Sequence, residues 1–222
     1  MKPARTDSFW PSYTDLMTSL FFVMLVLFIL VFVQQHKTIR DLQKRLAIIT
    51  AVEENLKPLK NDSTLFTYEE TYKRFKLAFD VKFKNDSSKI TSTGLEKFEA
   101  TIAKIGEAGD KLRILIDTLK NRKEADPRLR DVSYILVIAG YASRTSDGRG
   151  EFHNYDLSYQ RALSLWDYWR KVKNIDFESR NYNGLIDLQI AGNGWGGVGR
   201  SDRNVENQRF LIQIFPKIGD IK

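Results

Sequence analysis

Residues 16–33 read LMTSLFFVMLVLFILVFV, an apolar run broken only by Thr18 and Ser19. As a helix, Tyr13 to Val33 would extend about 31 Å at 1.5 Å per residue, enough to cross a bilayer core of about 30 Å. Mean hydropathy over the whole chain is −0.37, so the apolar residues are concentrated here and the remainder reads as water-soluble. The run is too long for the apolar region of a signal peptide, and no small-residue cleavage site follows it. We therefore expect an uncleaved signal-anchor. Asp15 stands at the lip of the run. A carboxylate within a membrane helix costs roughly 2.5–3.5 kcal/mol on insertion scales, and such residues generally face a bundle interior or a water path. The competing reading puts Asp15 just outside the hydrocarbon, as an interfacial residue or helix cap.

The 222 residues suit one membrane segment and one globular domain of modest size. There is no cysteine, and the histidines are His36 and His153 alone. That removes disulfides, thiol chemistry and thiolate metal sites, and argues against zinc. The net charge is +7, but the basic residues are spread along the chain without a nucleic-acid motif. A basic balance equally suits a domain facing an anionic membrane or wall. No nucleophile–base pair or metal-ligand spacing is present, so we expect no enzymatic activity and no cofactor.

Four segments follow. Residues 1–8 form a polar tail. Residues 9–33 form the transmembrane helix, with Phe9, Trp10 and Tyr13 as an aromatic belt and Pro11 in a first turn that tolerates it. Residues 34–60 continue as a helix in which Ile39, Leu42, Leu46, Ile49, Val52 and Leu56 fall three or four apart. That seam reads either as a dimerising pair of parallel helices or as an amphipathic helix lying on its own domain. Residues 61–222 form an α/β domain. In it we expect a strand at Phe79–Phe83, a turn at Asn85–Ser88, and a helix capped by Ser92 or Thr93 that carries Leu95, Phe98, Ile102 and Ile105. A second helix and a loop are expected within residues 104–130. Strands follow at Val132–Ala139, Leu185–Ala191 and Phe210–Phe215, with a helix over Asn154–Lys173. The order predicts an α+β fold: a small mixed sheet with helices on one face.

Within the membrane segment, Asp15, Thr18 and Ser19 share one helix face. A carboxylate that a proton can neutralise, with hydroxyls beside it, is an ion-carrying arrangement. Ordinary packing through small polar residues is the alternative for the two hydroxyls. Charge does not fix the orientation. Lys2 and Arg5 precede the helix, while Lys37, Arg40, Lys44 and Arg45 follow it.

The stretch SYTDLMTSLFFVMLVLFIL resembles the membrane helix of MotB-type stator subunits through Tyr13, Asp15, Leu16, Met17, Thr18 and Leu20. That resemblance implies that Asp15 accepts and releases the driving ion, a proton or Na+. It also implies a cytoplasmic N-terminus and a periplasmic C-terminal domain at the bacterial inner membrane. Asn154-x-x-Leu157-Ser158-x-x-Arg161-Ala162, following a strand and Gly140, resembles the OmpA-like peptidoglycan-binding domain. Residues 83–94 (FKNDSSKITSTG) match its first strand and turn, and Asn207-Gln208-Arg209 is similar to its signature before the last strand. The resemblance implies a peptidoglycan site at Tyr141, Ser143, Asp147, Asn154, Leu157 and Arg161. The family's aspartate that meets the ammonium of diaminopimelate is replaced here by Ser143, and the loop before Asn154 is longer. Asp147 is the candidate substitute. The partners implied are peptidoglycan, a second copy of the chain, and a multi-helix MotA-like or ZorA-like membrane subunit, five of which would ring two copies.

The short connection after the membrane helix and the altered Gly140–Ser143 loop are more similar to the B subunit of the Zorya anti-phage defence system than to flagellar stators. Flagellar motility is the second reading, and a passive wall-anchored membrane protein the third. Gly192–Gly199 is not a dinucleotide fingerprint, because no strand-to-helix transition follows it. Trp195 within it is a candidate for stacking on a sugar.

Overall fold

A continuous apolar run satisfies its own backbone only as a helix or within a closed sheet. The computed structural model describes residues 9–60, 63–79, 81–143, 150–196 and 207–218. It forms two compact units, Met1–Ala47 and Ile48–Lys222. Helix α1 (Phe9–Lys60) begins in the first and ends in the second. It is the one helix among the described residues long and apolar enough to cross a membrane. Its Leu, Phe, Val, Met and Ile side chains from Leu16 to Val33 are all exposed, from 40% at Leu25 to 67% at Phe28. In water this surface would be far larger than a monomer tolerates.

The second unit is built on a five-stranded mixed sheet of order β1-β2-β5-β3-β4. Its strands are β1 (Phe66–Glu69), β2 (Arg74–Leu77), β3 (Val132–Gly140), β4 (Ile186–Gly192) and β5 (Phe210–Ile218). The central strand β3 pairs antiparallel with β5 and parallel with β4. The parallel pair requires a crossover, and α3 (Gly150–Lys171) supplies it. Alternate β3 residues Val132, Tyr134, Leu136 and Ile138 are buried in the main core with residues of α2 (Phe98–Ala125) and α3. Ala139 and Tyr141 join Leu211 in a smaller cluster.

Several expectations are corrected. Among the described residues of the expected Phe79–Phe83 strand no strand forms; Phe83 makes only an isolated bridge with Leu95. Ser92 and Thr93 cap nothing: the chain turns at Thr91, whose carbonyl accepts from Gly94 N and Leu95 N, and α2 starts at Phe98. The two elements expected within 95–130 are one helix. Gly109 does not break it. It gives clearance to the indole of Trp169, whose Nε1 would lie 2.6 Å from a Cβ there and which donates to Ile105 O at 2.8 Å. The hairpin β1–β2 was not expected, because its turn Glu70-Thr71-Tyr72-Lys73 has no glycine, proline or asparagine; Lys73 itself takes φ +49°. At the end of α1, Asn55, Leu56 and Leu59 are buried, the two leucines in the main core. The last turns of the expected dimerising segment therefore pack on their own domain, while Ile39, Leu42, Leu46 and Ile49 are exposed.

The ends of β3 and β4 are pinned directly under α3. Gly140 and Gly192 are register partners. A Cβ at Gly140 would lie 2.1 Å from Ser158 O, and one at Gly192 would lie 2.6 Å from Tyr159 N. Both obstacles are helix backbone and cannot swing aside. Gly140→Ala is expected to cost about 3 kcal/mol, lowering the melting temperature by roughly 6–12 °C for a domain of this size. Calorimetry checks this, and an unchanged melting temperature would show that the helix does not rest on the strand there.

Candidate functional site

Ser158 organises the junction. It is fully buried, donates from Oγ to Tyr155 O at 2.8 Å, and accepts from Gly194 N at 2.8 Å. One hydroxyl thus ties the helix to the loop leaving β4, next to the glycine pair that lets the helix approach. One turn further along α3 comes Arg161, only 2% exposed. Its Nε donates to Ser87 O at 3.0 Å and its Nη1 to Tyr141 O at 3.4 Å. The guanidinium carbon lies 4.4 Å from the centroid of the Phe83 ring, a cation–π contact. Among the described residues no carboxylate forms an ion pair with it. Burial pulls the guanidinium from its ordinary 12.5 down to about 10, with the charge of Asp86 acting weakly in the opposite sense.

A second layer fixes what Arg161 touches. Residues 83–90 form a strap along α3. Its ends are held by Phe83 N donating to Gln208 Oε1 at 3.1 Å and Ile90 N donating to Ser164 Oγ at 3.0 Å. Gln208 in turn donates from Nε2 to Ser143 Oγ at 3.1 Å. The strap turns at Asp86, φ +59°, a conformation that aspartate tolerates better than most residues. His153 Nε2 lies 2.6 Å from Asp86 Oδ1.

The structure thus brings some expected residues together and separates others. Arg161 and Ser143 share the network through the strap and Gln208. Tyr141 contributes only its carbonyl to Arg161; its hydroxyl accepts from Arg74 Nη1 at 3.4 Å and its ring lies under the Arg209 guanidinium. Asn154 is 3% exposed and Leu157 is buried, so both lie inside the domain. Asp147 lies outside the described residues, as do residues 197–199 of the glycine-rich loop. Trp195 is half-buried. Phe83, Ser87, Asp86, His153 and Gln208 were not singled out as site residues. Phe83, Asp86 and Ser87 lie in the FKNDSS stretch, which reads as a strand and turn and hides that the Ser87 carbonyl faces an arginine; Gln208 lies in the Asn207-Gln208-Arg209 signature, and nothing in the sequence marked His153.

In the first unit, Asp15, Thr18 and Ser19 lie on an exposed face of α1. The hydroxyls do not turn toward the carboxylate. Thr18 Oγ1 donates to Thr14 O at 2.8 Å, and Ser19 Oγ to Asp15 O at 2.7 Å and Leu16 O at 3.1 Å. These side chains satisfy themselves on their own helix, as hydroxyls in apolar surroundings do.

No protein-family model matches the sequence, and no curated protein matches it. Among solved structures, the chain is similar to the OmpA-like domain of FopA1 from Francisella tularensis subsp. tularensis SCHU S4. The two are 18% identical, with 69% of this chain and 79% of that one covered and a TM-score of 0.35. It is also similar to the periplasmic domain of Helicobacter pylori MotB, at 14% identity over 67% of this chain and 86% of that one, TM-score 0.33. A putative MotB-like protein from Desulfovibrio vulgaris gives 12% identity over 78% and 91%, TM-score 0.39.

A buried guanidinium without a carboxylate partner is costly. The depression from 12.5 to about 10 corresponds to about 3 kcal/mol against the charged form in the folded state. Between those two values the unfolded chain binds the extra proton, so this penalty is present in full at neutral pH and is relieved only as pH rises above about 10. Replacing a buried ion pair by apolar side chains of similar volume is often neutral or stabilising, and at Arg161 no ion-paired carboxylate among the described residues would be left behind. We expect Arg161→Met to leave stability at pH 7 within about 1 kcal/mol of wild type, or to raise it. Urea denaturation measures this. A loss beyond about 3 kcal/mol would mean that the two carbonyl contacts, rather than an outside ligand, account for the arginine.

Proposed function

We propose that this chain is a single-pass membrane protein that anchors to peptidoglycan through the Arg161 site and acts as a MotB-type stator subunit. The observation that carries the anchoring reading is Arg161 itself: a buried cation on a helix, met among the described residues by main-chain carbonyls and the Phe83 ring and by no carboxylate ion pair. Such a group suits a carboxylate arriving from outside, and guanidinium geometry favours a two-pronged contact. A stem-peptide carboxylate of the wall is a ligand of that chemistry. The membrane half of the proposal rests on the exposed apolar face of α1 and on Asp15 at its lip. In this reading the N-terminus is cytoplasmic and the domain periplasmic. Two copies sit within a ring of multi-helix partner subunits, and a proton or Na+ passes by way of Asp15. The finer reading, membership of a Zorya-type defence system rather than a flagellar motor, rests on the short connection after the membrane helix and on Ser143.

Two substitutions test the halves separately. Purified full-length chain should be retained by isolated sacculi, and Arg161→Met should reduce retention at least tenfold while the protein stays folded. Equal retention of the two would remove Arg161 as the ligand residue. Asp15→Asn should leave retention and partner assembly unchanged but abolish ion flux in vesicles that contain the partner subunit. Full flux through the Asn variant would leave the passive wall-anchor reading in its place.

A further inference from the structure

The loop leaving β4 sets two glycines against one aromatic ring. A Cβ at Gly194 would lie 3.0 Å from both Cγ and Cδ1 of Tyr155, and Gly194 takes φ +57°. A Cβ at Gly196 would lie 3.3 Å from the Tyr155 hydroxyl. The Tyr155 ring therefore lies against bare main chain, and the turn beneath it is fixed. Asn193 N donates to Gly140 O at 3.0 Å, Gly194 N to Ser158 Oγ at 2.8 Å, and Ala142 N to Gly194 O at 2.9 Å. Tyr155 is nonetheless 46% exposed; Tyr159, one turn later, is 41% exposed, and Phe152, one turn earlier, 85%. All three lie outside the main core. Residues three, four and seven apart share a helix face, so the rings form a row roughly 10 Å long on α3.

We infer that Tyr155, with Phe152 and Tyr159, is a stacking surface for the uncharged sugar rings of the wall's glycan strand, a second contact on α3 besides Arg161. This deepens the wall-binding reading and rests on it. A pyranose presents an apolar face of C–H groups rimmed by hydroxyls. A tyrosine matches it with an apolar ring face and a hydroxyl at one edge. A ring already seated on a fixed turn has little freedom left to lose when a sugar stacks on it. The surroundings favour a neutral chain over other occupants. The exposed Asp156 and Gln160 interrupt the row, which leaves too little contiguous apolar surface for the core of a protein interface. From Phe152 to Trp169 the only lysine or arginine is the buried Arg161, so the row lacks the cations that hold a helix to an anionic membrane. One hydroxyl joins the two contacts: Ser158 Oγ donates to Tyr155 O and accepts from Gly194 N, one helical turn before Arg161. A stem-peptide carboxylate and the sugar chain that bears it would then meet the same helix.

The test separates sugar from carboxylate. The probe is a β-linked N-acetylglucosamine oligomer, which has sugar rings and no carboxylate, offered to purified full-length protein in saturation-transfer NMR. Wild type and Arg161→Met should both transfer saturation to the sugar ring protons. Tyr155→Ala should lose most of the transfer, as should Phe152→Ala combined with Tyr159→Ala, while Tyr155→Phe should keep it. Retention on sacculi should fall about three- to tenfold for Tyr155→Ala. The combined variant removes rings outside the core, so it probes the row even where Tyr155→Ala does not fold. If folded variants without the rings bind the oligomer and the sacculus as wild type does, the aromatic inference fails and the wall-binding reading stands. If wild type gives no transfer and the variants lower its oligomeric state in light scattering, the row is a contact between copies and the inference fails. If sacculi do not retain wild type at all, both readings fail.

Discussion

The close approach of α3 to the ends of β3 and β4 is the constraint on which the rest of the domain depends. It needs two glycines in register, Gly140 and Gly192, because helix backbone occupies the space where their Cβ atoms would be. It needs Ser158, whose hydroxyl is small enough for the gap and can both donate and accept. With the helix that close, Arg161 one turn later cannot reach solvent along its own face. It is driven across the top of the sheet, where the carbonyls of Tyr141 and Ser87 meet it. A wider helix–sheet spacing would have left the arginine in water, where its charge costs nothing and selects nothing.

On the proposed reading, that geometry sets stability against binding. The domain keeps a buried charge whose desolvation works against the folded state, and offsets part of it with two carbonyl hydrogen bonds and the face of Phe83. None of these neutralises the charge. Neutral acceptors are worth less to a guanidinium than a carboxylate is. On the proposed reading, an anionic ligand would recover that shortfall on binding, and the strain of the site would become affinity. The strap serves the same end. It holds the Ser87 carbonyl and the Phe83 ring still, so little side-chain freedom would remain to be lost if a ligand arrived.

Much of this was legible in the sequence, for reasons that differ by element. The run Leu16–Val33 is too long and too uniformly apolar for a barrel strand, so α1 needed no context. Strand β3 read correctly because VSYILVIA is rich in valine and isoleucine and nearly continuous in its apolar residues, the composition of a central, largely buried strand. The hairpin β1–β2 was illegible because its turn places Lys73 at positive φ without a glycine to announce it. The continuity of α2 was illegible because the purpose of Gly109 within it, room for Trp169, exists only once two helices meet. The site shows the same division. Asn154, Leu157, Ser158 and Arg161 were reached through a motif whose resemblance to a known family brought them to notice on one helix. Their separate tasks could not be read there: three of the four turn out to be buried supports, and only the fold shows that the strap over residues 83–90 and Gln208 complete the surroundings of Arg161.

On the proposed reading, magnitudes also connect the two units. One charge moving through 100 mV releases about 2.3 kcal/mol. A hydrogen bond to a charged group contributes about 1.5–3 kcal/mol. A single arginine–carboxylate contact would thus hold the subunit with an energy comparable to one ion step, too little to keep it still while a ring turns against it. Two domains bound to one polymer behave differently, because after the first has bound the second rebinds at the effective concentration its linker allows, and avidity exceeds either affinity by about 10²–10⁴. That arithmetic gives a physical use to the exposed seam of Ile39, Leu42, Leu46 and Ile49, which the domain core leaves uncovered while it takes Leu56 and Leu59. A second copy of the helix paired along that seam would deliver two Arg161 sites to the same wall.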